Sequence, residues 1–137
     1  VIPAAVTFTI DTRSPRDAAR HDVVAHLRDD LAAVARLRGV KVRIERSYEE
    51  PAATCATPLI QQLETSVARA GIKPRRLPSG AGHDGLAMVA LCPIGMLFVC
   101  CKGGISHNPA ESITAEDADV AVTVLVDFLR HFQPPQI

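Results

Sequence analysis

The segment Ile94–Cys100 reads Ile-Gly-Met-Leu-Phe-Val-Cys, with no polar residue to mark a solvent face. A strand that is apolar on both sides must be covered on both sides, which is the condition of an interior strand in a layered α/β sheet. No other stretch of the chain constrains the fold so strongly. On either side of it lies a glycine-rich loop that holds a histidine. The upstream loop is Ser79-Gly80-Ala81-Gly82-His83-Asp84, and the downstream loop is Lys102-Gly103-Gly104-Ile105-Ser106-His107-Asn108-Pro109. Glycine allows unusual dihedrals and close backbone approach to a ligand. Loops at strand ends are also where binding and proton chemistry are commonly placed. The two loops therefore read as the rim of a site.

The rest of the chain alternates strand and helix patterns. Val6, Phe8 and Ile10 alternate with Thr7, Thr9 and Asp11, the period of a half-buried strand. Ser14-Pro15 with Asp17 predicts a helix start, Ser14 as cap and Pro15 in the first turn. Val23, Val24, Leu27, Leu31 and Val34 then form an apolar stripe that ends at Gly39. Val40, Val42 and Ile44 predict a second strand. Thr57-Pro58 opens a second helix with Ile60, Leu63 and Val67 inward and Gly71 as its stop. Asp84–Leu91 reads as a short buried helix. Thr114 and Asp117 form a capping pair for a last helix bearing Val120, Val124, Leu125, Phe128 and Leu129. The alternation makes α/β the expected fold class.

Composition narrows the function. Fifteen basic residues balance fifteen acidic ones, so no charge excess invites nucleic acid or an anionic membrane. The hydrophobic fraction of 47% belongs to a globular chain. No apolar stretch is long enough to cross a bilayer, and the opening Val1-Ile2-Pro3-Ala4 lacks the features of a signal peptide. Cys55, Cys92, Cys100 and Cys101 have no repeated Cys-x-x-Cys spacing, which argues against a structural zinc knuckle and for reduced thiols in a cytoplasmic setting. The chain has no initiator methionine and opens almost directly on a strand pattern, as a piece of a longer protein would.

Three side chains are candidates for chemistry, each with a plainer alternative. His107 could ligate a divalent ion as a neutral imidazole, or simply hydrogen-bond to backbone as a loop histidine. His83 could donate to a developing oxyanion, or cap the short helix that follows. Arg13 could clamp a carboxylate with its planar fork, or form a surface salt bridge with Asp11 or Asp17. His21, His26 and His131 lie on charged helix faces and read as solvated.

Taken together, four pieces resemble one known group. They are Val1-Ile2-Pro3; Phe8-Thr9-Ile10-Asp11-Thr12-Arg13-Ser14-Pro15; Pro78-Ser79-Gly80-Ala81-Gly82-His83-Asp84; and Lys102-Gly103-Gly104-Ile105-Ser106-His107-Asn108-Pro109. Their order and separation resemble the N-carbamoyl-L-amino-acid amidohydrolases, with the allantoate amidohydrolases and beta-ureidopropionases beside them. These belong to the di-metal aminoacylase and carboxypeptidase-like hydrolases. The resemblance implies that His107 ligates the second metal ion, that His83 polarises the scissile carbonyl, and that Arg13, Gly82 and His83 contact substrate. It also implies two domains: residues 1–50 as the second half of a lid and dimerisation domain, and 51–137 as the C-terminal part of a metal-dependent catalytic domain.

The implied activity is hydrolysis of a linear C–N bond in N-carbamoyl amino acids or related ureido acids. Two divalent ions (Zn, Mn, Co or Ni) would serve the parent enzyme, with at most one ligand in this chain. A homodimer through the lid and a small-molecule substrate are the implied partners. The family's other metal ligands and its glutamate base lie upstream of Val1, so the isolated chain is expected to be inactive. The rival readings are an aminoacylase or dipeptidase of the same superfamily, and a non-catalytic dimerisation module.

Overall fold

The computed structural model describes residues 3–135, so Val1 and Ile2 of the first matching piece lie outside the described residues. The chain divides into two compact units. One runs through Ala52 and takes in Pro78–Ala81; the other comprises Ala53–Leu77 and the chain from Gly82.

The first unit is built on α1, Asp17–Arg38. The expected start at Ser14 is corrected by two residues: Ser14 Oγ accepts from the Arg16 N–H at 3.2 Å. That commits the hydroxyl to a local turn, and Arg16 takes the N-cap position with no side-chain cap. Asp17, in the first turn, instead reaches across to a distant segment. Its carboxylate oxygens accept from Ala52 N at 3.1 and 3.2 Å and from Arg20 at 3.0 Å. Glu49 fastens the same segment, accepting from Arg20 at 3.1 Å, bonding His21 Nε2 at 2.8 Å and pairing with Arg46. Gly39 ends the helix in the left-handed region, φ 65°, as its position predicts. The covered stripe differs from the expected one. Ala35 is buried and Val24, Leu27 and Leu31 are half-buried, whereas Val23 and Val34 are 50% and 53% exposed.

The second unit is built on α2, Thr57–Arg69, and α4, Ala115–Arg130, which pack together. Leu59, Leu63 and Val124 are its buried hydrophobic residues, and Ser66, 2% exposed, sits among them. Ser66 bonds Asp127 of α4, which also takes Arg69 Nη1 at 3.2 Å. A buried hydroxyl needs such a partner to offset its lost hydration. Gln62 then holds the chain beyond α4: its amide donates to Gln133 O at 2.9 Å and accepts from Gln133 N at 2.8 Å. Helix α4 begins as the capping pair predicts, Thr114 Oγ1 accepting from Asp117 N at 3.0 Å while Asp117 Oδ2 accepts from Thr114 N at 3.4 Å. Helix α3 is Gly85–Met88, shorter than the expected Asp84–Leu91 and without a buried residue.

The expected α/β class is not what the described residues form: they hold helices and no strand. The predicted strands at 6–10, 40–44 and 94–100 are irregular segments. Val6, Phe8, Val40 and Val42 are exposed, and so are Phe98 and Val99 at 48% and 41%. The physical reason lies in the ladder. A strand satisfies its backbone only by pairing with a neighbour, and none of these segments has one among the described residues. Ile94 O takes the N–H of Ala56 at 2.8 Å instead, fixing the apolar run to the start of α2.

Candidate functional site

Arg13 lies in the first unit, and its head is held on two sides. Nε and Nη2 both donate to Asp11 Oδ2, at 3.0 and 2.6 Å, and Nη1 donates to Gly80 O at 2.7 Å. The Asp11 contact runs two residues along one segment, and Gly80 comes from Pro78–Ala81, which folds with this unit. The plainer expectation, a salt bridge to Asp11, is therefore what forms. Asp17, the other partner considered, is taken by Arg20 and Ala52. The side chains of Arg13 and Asp11 remain 59% and 66% exposed. The guanidinium holds the Asp11 carboxyl below its ordinary range, by its hydrogen bond first and its charge second, and Asp11 raises Arg13 in return. The described contacts use one N–H on each guanidinium nitrogen and leave one on each terminal nitrogen.

His83 and Gly82 lie in the second unit. His83 does not cap α3. Asp84 holds the N-cap position, and the His83 carbonyl accepts from Leu86 N at 2.8 Å. A helix of four residues also carries little dipole, so the expected field of a helix N-terminus contributes little at His83. A Cβ on Gly82 would meet Leu86 Cδ1 at 3.5 Å, an ordinary contact, so this glycine is not forced by space. Both residues are exposed.

His107 sits in the most constrained loop of the chain. Lys102 N donates to Ser112 O at 2.8 Å and closes its base. Gly103 and Gly104 take φ 66° and 68°, conformations that suit glycine, and His107 itself takes φ 56°. Positive φ is uncommon for a residue with a side chain, though histidine tolerates it better than most. Glu111 supports it by accepting the His107 N–H at 2.8 Å, and Asn108 Oδ1 accepts from Ala110 N at 2.9 Å. The imidazole is exposed and makes no hydrogen bond to another described residue. Glu111 is the contact that sequence reading missed. Its only local signal is a carboxylate four residues beyond a glycine-led loop histidine.

Among the described residues no three His, Cys, Asp or Glu side chains are grouped to hold a metal ion. His107 offers one imidazole, and the nearby Glu111 carboxylate is engaged by backbone. These residues do not by themselves make a metal centre, since protein sites need three or more ligands. All four cysteines are free thiols, and no described helix is long and apolar enough to cross a membrane.

Residues 4–131 match the sequence profile described as Peptidase family M20/M25/M40. The chain is 38% identical over 125 residues to an N-carbamoyl-L-amino acid amidohydrolase of Geobacillus stearothermophilus, covering 91% of this chain and 31% of that protein. It is 37% identical over 139 residues to an allantoate deiminase of Arabidopsis thaliana, covering 95% and 26% respectively. It is 32% identical over 132 residues to an N-carbamoyl-L-amino-acid amidohydrolase of a Pseudomonas strain, covering 96% and 32%. The chain thus spans about a third or less of the length of these curated relatives.

Proposed function

We propose, from the premise that this chain belongs to peptidase family M20/M25/M40, that its parent protein hydrolyses a linear C–N bond in a ureido acid, of which an N-carbamoyl amino acid or allantoate is the type. Similarity to relatives named for N-carbamoyl amino acids and for allantoate supports that substrate class. The observation that carries the reading is Arg13, an exposed guanidinium anchored on two sides with an N–H left on each terminal nitrogen. A head of that kind suits a free carboxylate, which every ureido acid of this class carries.

In this reading Arg13 binds the substrate carboxylate, and Gly82 lets the chain before His83 come close to substrate. His83 donates a hydrogen bond to the carbonyl oxygen as negative charge develops on it. The reaction adds water to the ureido carbonyl, and the carbamic acid formed breaks down to ammonia and carbon dioxide. Two divalent ions (Zn, Mn, Co or Ni) serve the parent. His107 is the ligand this chain supplies, and the remaining donors come from the larger part of the protein. The residues to about 50 act as part of a lid and dimerisation domain, and 51–137 as part of the catalytic domain. The parent is a cytoplasmic homodimer, and the 137-residue chain alone is inactive.

Ammonia release by the full-length parent tests this, with N-carbamoyl amino acids and allantoate compared against N-acyl amino acids and dipeptides after loading with each divalent ion. Turnover of the ureido acids in clear preference supports the reading. Preference for N-acyl amino acids or dipeptides replaces it with an aminoacylase or dipeptidase, and metal-independent turnover removes the metal role.

A further inference from the structure

We propose that Asp11 is the positioning residue of the carboxylate reader: it fixes the Arg13 guanidinium so that only the two terminal nitrogens remain to receive a substrate carboxylate. The inference rests on the functional reading above and adds a residue to it. Arg13 is a long side chain, more than half exposed, on a segment with no ladder to stiffen it. Such a head rotates freely unless something holds it, and each rotamer lost on binding costs affinity.

Two contacts remove that freedom before substrate arrives. Asp11 Oδ2 takes the Nε–Nη2 edge with both donors on one oxygen, and Gly80 O takes Nη1 from another direction. The anchored guanidinium then presents one N–H from each terminal nitrogen, and a carboxylate can meet both. Asp11 also partly neutralises Arg13. An incoming carboxylate is therefore recognised by placement of donors more than by bare charge. That favours a ligand whose two oxygens match the fork and disfavours a single-point anion such as chloride.

The Gly80 contact gives the arrangement a second consequence. Gly80 lies three residues before His83 in the sequence. The residue that reads the carboxylate is thus hydrogen-bonded to the loop that leads into the proposed carbonyl-polarising histidine. A misplaced Arg13 head should disturb the Pro78–Ala81 backbone as well as the affinity.

The test uses the full-length parent and its divalent ion. Asp11→Ala and Asp11→Asn are compared with wild type on a ureido acid and on its neutral amide analogue. The asparagine keeps an oxygen acceptor of the same reach, so it should still orient the guanidinium.

The expected result is a KM for the ureido acid raised roughly tenfold in Asp11→Ala and restored to within about threefold in Asp11→Asn. For the neutral amide, KM should hold within about twofold in both variants. Nitrogen NMR of the Arg13 Nε–H gives a readout apart from turnover. Its resonance should be protected from exchange in wild type and Asp11→Asn and unprotected in Asp11→Ala. An unchanged KM for the acid, an equal rise for acid and amide, or an Nε–H equally protected in all three proteins would overturn the assignment. Should the wild-type parent turn over neither ureido compound, the functional reading fails while the Nε–H measurement still decides whether Asp11 holds Arg13.

Discussion

Gly95 lies against Leu59: a Cβ placed on Gly95 would stand 3.2 Å from Leu59 Cβ and 3.3 Å from Leu63 Cδ1. The apolar run can approach α2 only because this position has no side chain. The Leu59 atom is bound directly to the helix backbone and has little room to retreat, so Gly95→Ala should overpack the contact. The expected cost is about 1–3 kcal/mol. Urea unfolding followed by circular dichroism would measure it, and a midpoint equal to that of the wild type would show that the segment is not seated on α2.

Arg13→Lys should weaken binding of a ureido acid by about 1.5–3 kcal/mol, the scale of a hydrogen bond to a charged group. Lysine keeps the charge but loses the planar fork and two of the three anchoring contacts. The measurement is kcat/KM of the full-length parent on the acid and on its neutral amide. Equal losses on both compounds would mean that Arg13 does not read the carboxylate.

His107→Ala in the full-length parent should lower the bound divalent metal and the turnover together. Elemental analysis of the purified variant checks the first and ammonia release the second. Alanine at φ 56° is itself strained, so His107→Asn, which tolerates that backbone and offers a poorer ligand, separates loop damage from ligand loss. Full metal content in His107→Asn with normal turnover would remove His107 from the metal site.

Stability of the first unit should fall on acidification. His21, then Arg20, by their hydrogen bonds to Glu49, hold its carboxyl below the ordinary 4.5. Arg20 and the Ala52 N–H hold Asp17 below 3.8. A carboxyl lowered in the folded state binds its proton more readily when unfolded, so its contribution is complete above the unfolded value. It shrinks below about pH 4.5 and is gone once pH has passed through the lowered folded value. Both groups are exposed enough for salt to screen the effect. Thermal melts across pH 3–6 should show the decline, and Glu49→Gln should flatten it. A melting point that rises on acidification would contradict the cluster's role.

The 137-residue chain alone should self-associate. Val6, Phe8, Leu37, Leu77, Leu91 and Leu129 are each more than 60% exposed. The predicted strands have no partner, and an open hollow of 390 Å³ lies between Leu59, Leu97, Leu125 and Phe128. Exposed apolar faces and unpaired extended segments drive association. Size exclusion with light scattering would detect it, and a monodisperse monomer at tens of micromolar would refute it.

What could be read from the chain is what depends on neighbours a few residues away. Thr114 and Asp117 cap α4 because an N-cap hydroxyl and the third helical residue meet whatever surrounds them. Gly39 closes α1, and Gly103 and Gly104 bend the histidine loop, because a left-handed backbone is a property of the residue itself. The Arg13–Asp11 pair was also legible, two positions apart on one segment.

The failures are all long-range. Ile94–Cys100 has the composition of an interior strand, but a strand exists only through hydrogen bonds to another, and nothing in residues 94–100 says whether a neighbour is at hand. Ser66 looks like a surface position by type, yet it is buried and bonded because Asp127 faces it from a helix some sixty residues later. Gly80 offers Arg13 a carbonyl across a separation of 67 residues, and backbone carbonyls carry no sequence signature. Local sequence therefore determined the helices, their caps and the residue types at the candidate site. Tertiary structure alone decided which faces are covered and which distant backbone groups hold Arg13, because pairing and burial depend on what the folded chain brings alongside each residue.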